Sequence, residues 1–114
     1  MREKPRDKER LEHILEAIED IDRGKNKYSQ EQITTDPIAY FGFVKEVEII
    51  GEAVYMLTKE YKDAHPEVMW SVIEKMRHVL VHGYYTINKQ QLWDTIQNDI
   101  PALKPQIEKL LEEM

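Results

Sequence analysis

The chain has 114 residues, no cysteine and a formal net charge of −6, from 16 basic and 22 acidic side chains. That length permits one domain with a real core, leaves no room for a second catalytic domain, and makes dimerisation a natural source of added stability. The cysteine count excludes a disulfide framework and a thiol nucleophile, and the acidic balance disfavours broad electrostatic capture of nucleic acid while leaving a small RNA site open.

Met1 to Arg10 alternates basic and acidic residues, and no apolar run reaches membrane-spanning length, so a cytoplasmic protein is expected. Lys8 to Arg23 reads as a first helix. Leu11, Ile14, Leu15 and Ile18 follow the three-and-four spacing of one buried face, continued by Ile21 or Asp22. His13 lies among Glu12 and Glu16 and reads as a solvated side chain rather than a catalytic one. Gly24 is expected to stop the helix, with Arg23 near its negative end. A polar connection then runs from Gly24 to Thr35, where Ser29 and Gln32 can cap a short turn. Lys25, Lys27 and Tyr28 read as ordinary loop, with RNA or partner contact as the alternative.

Asp36 and Pro37 open a central helix expected to reach about Tyr61, since aspartate caps well and proline is tolerated in a first turn. Its apolar residues, among them Tyr40, Phe41, Val44, Val47, Ile50 and Val54, spread over more than one face and predict several neighbours or a second subunit. Gly51 fits a close backbone approach. Glu52 beside it either faces solvent or orients Arg77 or His82 through a charge-assisted hydrogen bond.

Lys59 to His65 should turn the chain, and Pro66 and Glu67 favour entry into a third helix carrying Trp70, Val72, Ile73, Met76 and Leu80. Met56, Met69 and Met76 suit flexible core packing. Gly83 fits a helix exit. Asn88 and Gln91 can box the start of a fourth helix from Lys89 to about Asn98, with Leu92, Trp93 and Ile96 inward. Asp99 is expected to cap a last helix begun near Pro101, burying Leu103, Ile107, Leu110 and Leu111. The pattern predicts an all-α, antiparallel bundle of four to five helices, one domain over residues 1–114.

The chemistry concentrates in Arg77-His78-Val79-Leu80-Val81-His82-Gly83-Tyr84-Tyr85. An arginine offers a planar fork of donors to phosphate, and an imidazole moves protons near neutral pH. On a regular helix five residues turn the direction by about 140°, so Arg77 and His82 would hold opposite sides of a phosphodiester across a cleft or a symmetric interface. By spacing alone, a surface salt bridge for Arg77 and a helix-end cap for His82 remain open. His78 and His82 share a helix face, yet zinc normally needs three or four protein ligands and no recognised set completes them, so neither metal nor cofactor is expected.

The order Arg77, four residues, His82, one residue, Tyr84 resembles the Arg-x4-His-x-Tyr signature of the HEPN superfamily, particularly its small HepT-like RNase toxins. The resemblance extends to Ile49-Ile50-Gly51-Glu52-Ala53, Pro66-Glu67-Val68-Met69-Trp70, Met76-Arg77 and Trp93 through Pro101, most of the chain, the N-terminal helix matching more loosely. It implies a HEPN-like helical homodimer with its active site at the subunit interface. It also implies metal-independent endoribonuclease activity and an antitoxin partner with a minimal nucleotidyltransferase fold. Arg77 and His82 would be the catalytic pair, supported by His78, Tyr84 and Glu52, and Tyr84 would be the tyrosine that the partner modifies with AMP. The sequence departs at His78, where family members usually carry asparagine; a neutral imidazole donates one hydrogen bond where an amide donates two. A non-catalytic helical subunit that binds a partner or a nucleotide is the alternative reading, and a purely structural helical protein is a third.

Overall fold

The computed structural model describes the backbone of residues 3–82 and 89–114 and the side chains of residues 6–76 and 89–114. Among the described residues every regular element is helical. The first helix, α1 (Glu3–Lys27), buries Leu11, Ile14, Ala17, Ile18 and Ile21 completely or nearly so, the three-and-four stripe expected of one core-facing side. It does not stop at Gly24. A Cβ at that position would stand 2.6 Å from Cζ of Phe43, so the glycine admits a ring from the neighbouring helix instead of ending its own. Tyr28 N–H still donates to the Gly24 carbonyl at 2.8 Å, and the turn comes at Ser29.

Ser29 and Gln32 form the reciprocal box over α2 (Gln30–Thr35): the serine hydroxyl accepts from Gln32 N–H at 3.1 Å, and the glutamine side chain accepts from Ser29 N–H at 2.9 Å. What reads as a polar connection is thus a short helix that pins Ile33 into the core. Asp36 caps α3 (Pro37–Met56), accepting from Ile38 N–H at 2.9 Å with Pro37 in the first turn. Tyr40, Phe43, Val47, Ile50 and Val54 form its buried stripe, and α3 packs against α1, α2, α5 (Trp70–His82) and α6 (Lys89–Asp94).

The central helix ends at Met56, short of the expected Tyr61, because Leu57 and Thr58 turn extended. Asp7, in the first turns of α1, fixes that corner: its carboxylate accepts from Thr58 N–H at 2.9 Å and from the Thr58 hydroxyl at 2.7 Å. A carboxylate this buried is tolerable only when its oxygens are satisfied. Thr58 in turn caps α4 (Lys59–Ala64), and Trp70 Nε1–H donates to the His65 carbonyl at 3.0 Å. Helix α5 begins at Trp70 rather than at Pro66, buries Trp70, Ile73 and Met76, and leaves Val72 exposed.

The expected break at Asp99 is absent. Residues 89–112 continue through α6, a wide turn over Thr95–Asp99 and α7 (Ile100–Glu112), and Asp99 is itself helical with no capping bond from its side chain. The wide turn has a physical cause. Ile100 N–H donates five residues back to the Thr95 carbonyl, and in that register the Ile96 carbonyl would look to the nitrogen of Pro101, which has no hydrogen. Lys25 supplies the missing donor, its Nζ lying 3.0 Å from the Ile96 oxygen. Lys25 therefore closes a backbone bond inside the fold rather than sitting in an ordinary loop, while Lys27 Nζ lies 5.6 Å from the centre of the Tyr28 ring.

Two stability changes follow. Lys25→Met, which keeps the aliphatic stem but not the donor, should cost about 1–2 kcal/mol by denaturant unfolding, the range for orphaning a buried carbonyl. Gly24→Ala should lose about 1 kcal/mol net, overpacking against Phe43 outweighing the gain in helix propensity; an increase in stability would mean that the ring yields without cost.

Candidate functional site

The helix that should carry the chemistry is in place. Backbone α5 runs unbroken through Arg77, His78 and His82, packed along α3. The side chains of these three residues, and Gly83 to Asn88 with Tyr84, Tyr85 and the Asn88 cap, lie outside the described residues. Glu52 is described: it is exposed on α3 and has an interaction partner.

Glu52 lines a groove of about 440 Å³ between α1 and α3. The two helices run antiparallel, with Asp7 beside Thr58 at one end and Gly24 against Phe43 at the other. The groove therefore has an order. Arg10 and His13 of α1 come at the end formed with Ala53 and Met56 of α3, and Asp20 comes at the end formed with Lys45 and Glu46. From Arg10 to Asp20 the helix rises about 15 Å.

The two ends differ electrically. Arg10 Nε is buried without a hydrogen-bond partner, and Arg10 forms no ion pair among the described residues. Lys45 is held 3.6 Å from Glu48. At the far end the Glu46 carboxyl is pushed up to about 7, first by burial, then by the charge of Asp20 and a hydrogen bond shared with it; Glu16 adds to the rise and Arg23 opposes it. Arg23 is itself paired with Asp20.

Sequence reasoning passed over this groove. His13 is exposed as expected, yet it faces a cavity rather than open solvent. The signal was present: Arg10, His13, Ala17 and Asp20 repeat at three-and-four spacing, a second stripe beside the apolar one. Lys45 lines the groove, whereas Lys25 does not.

A carboxyl whose pKa is raised on folding binds its proton more tightly in the folded chain, so its contribution is fully present below about 4.5 and is lost as pH climbs toward 7. Glu46→Gln should flatten that fall. At pH 8 the variant should be the more stable by on the order of 1 kcal/mol, solvent screening holding the effect well below that of a sealed site. Near pH 4 the two should unfold together, as followed by thermal melts across the range.

Comparison with known proteins gives the family. Residues 14–110 match the family described as Ribonuclease HepT-like. The chain is 39% identical over 102 residues to "Putative RNase TTE0752" of Caldanaerobacter subterraneus subsp. tengcongensis, covering 90% of this chain and 91% of that one. It is 38% identical over 103 residues to "Probable ribonuclease HepT" of Thermococcus cleftensis, covering 90% and 94%. No solved structure matches. An all-helical bundle with α5 spanning Arg77 to His82, matched along nearly its whole length by these relatives, belongs to the HepT-like ribonuclease family.

Proposed function

We propose that this protein is a metal-independent endoribonuclease toxin, acting as a homodimer and silenced by a nucleotidyltransferase antitoxin that places AMP on Tyr84. The observation that carries the reading is the Arg77-x4-His82-x-Tyr84 spacing in a chain of the HepT-like ribonuclease family. His82 takes the proton from a ribose 2′-hydroxyl, whose oxygen attacks the adjacent phosphorus. Arg77 stabilises the charge that develops on the phosphoryl oxygens, and the 5′-oxygen leaves with a proton. The products are a 2′,3′-cyclic phosphate and a 5′-hydroxyl. One imidazole cannot act as base and acid in the same step, so the second transfer falls to the partner protomer's copy, to water or to Tyr84.

The exposed apolar surface supports the dimer. Where the end of α3 meets the start of α5, Tyr55 is 62%, Met69 64% and Val72 45% exposed, although Lys62 ties the same corner together through the Val54 carbonyl and Glu74. Met69 and Val72 are one turn apart, and large apolar side chains left exposed at such spacing suit a subunit contact. Asymmetry between catalysis and binding enters through His78, with one fewer donor than the usual asparagine.

His82→Ala, folded and dimeric, should lose about 10²- to 10⁴-fold in metal-free RNA cleavage, the range for removing a general acid or base. An oligonucleotide lacking the attacking 2′-hydroxyl should resist the wild type, and equal cleavage of it rules the mechanism out. If wild type and variant are both inert yet both bind the nucleotidyltransferase, the non-catalytic subunit is the correct reading. Val72→Glu should shift sedimentation from dimer to monomer with helicity unchanged.

A further inference from the structure

We propose that the groove between α1 and α3 is an RNA subsite, with Arg10 and His13 holding a phosphate other than the one being cut. The inference rests on the ribonuclease reading and extends it to residues outside the signature. Its first support is the state of Arg10. A guanidinium donor buried without a partner is costly, and here carboxylates stand along the same groove without capturing it. Nε itself is closed off from solvent, so a phosphate meets the guanidinium where Arg10 lines the groove, and a charge-assisted bond there supplies the counter-charge that no described residue provides.

The second support is placement. Arg10 and His13 are one turn apart on α1, so a single phosphate can reach both. Across from them α3 offers Ala53 and Met56, an apolar wall against which a ribose or base can rest. Glu52, the carboxylate at this end, already has a partner. In a chain of net charge −6, and in a groove that also carries Glu16 and Glu48, Arg10 is the fixed positive charge at this end and His13 adds a ring N–H donor. The acidic end fixes the polarity of the ligand: Asp20 and Glu46 repel a phosphate and accept hydrogen bonds from amino groups, so the backbone of the RNA enters at Arg10 and a base edge lies toward Glu46.

The test uses the full-length wild type with Arg10→Met, Arg10→Lys and His13→Ala, each checked by thermal melt and sedimentation. Cleavage kinetics are measured on one defined RNA, and affinity on the same sequence made of 2′-deoxynucleotides. Arg10→Met should raise KM and weaken the deoxy ligand by about tenfold, as for loss of one charge-assisted bond, with kcat held within about twofold. The logarithmic salt slope of binding should fall by about 0.7, one single-strand phosphate contact. Arg10→Lys should recover most of both, and His13→Ala should move in the same direction as Arg10→Met. If the wild type cuts RNA but KM, affinity and salt slope ignore these substitutions, the groove proposal fails while the ribonuclease reading stands. If the wild type binds without cutting, the affinity arm alone decides the groove. A wild type that neither cuts nor binds overturns both.

Discussion

The close approach of α1 to α3 is the constraint on which the rest of this fold depends. The Phe43 ring of α3 can lie against α1 only where α1 gives up a side chain, and Gly24 does so. With one end set there, Asp7 sets the other through Thr58, and the central helix is clamped along its length. Because the clamp ends α3 at Met56, the chain turns through α4 and returns as α5 along α3. The helix bearing Arg77 and His82 is thus aligned by contacts remote from both.

The same clamp explains the groove. Helices pinned at both ends and lined between by Ala17 and Ala53 leave space where larger residues would close it, and polar side chains at the rim then stand along a channel rather than on open surface. The cost is carried locally by Glu46 and Asp20, two carboxyl groups set close enough to share a proton. An apolar seam would be the more stable arrangement, and the presence of Arg10, His13, Asp20 and Glu46 along one channel sets it apart from the α1–α2–α3 core behind it.

Periodicity made most of the helices legible, and local capping rules located α2 and α3 closely: Ser29 with Gln32, and Asp36 with Pro37, bond as their identities suggest. The errors share a cause, which is that a local signal was outweighed by a distant partner. Gly24 looks like a stop until Phe43 is known to occupy its missing Cβ. Thr58 is an unremarkable residue inside a long apolar pattern until Asp7, 51 positions earlier, holds its N–H and hydroxyl. Asp99 and Pro101 look like a helix start until Lys25, 71 positions from Ile96, caps the carbonyl that proline leaves open. The spacing of Arg77 and His82 belongs to local sequence for the opposite reason, since both positions fall on one helix, α5. The groove was not, because it exists only when two separate stripes are set face to face.

The acidity of the chain bears on how such a protein could select RNA at all. A uniformly basic surface gains affinity from every phosphate it meets and releases counterions with each, which makes binding strong, salt-sensitive and indifferent to position. A body of charge −6 gains nothing of this kind, so any RNA it holds must be held at a few points where cations are isolated from their acidic surroundings. Lys45, Lys59, Lys62 and Lys104 are all neutralised by carboxylates of their own chain. Arg10 stands apart from these four in making no ion pair among the described residues while lining a groove, and isolation of that kind favours recognition of one phosphate at one place over general adhesion.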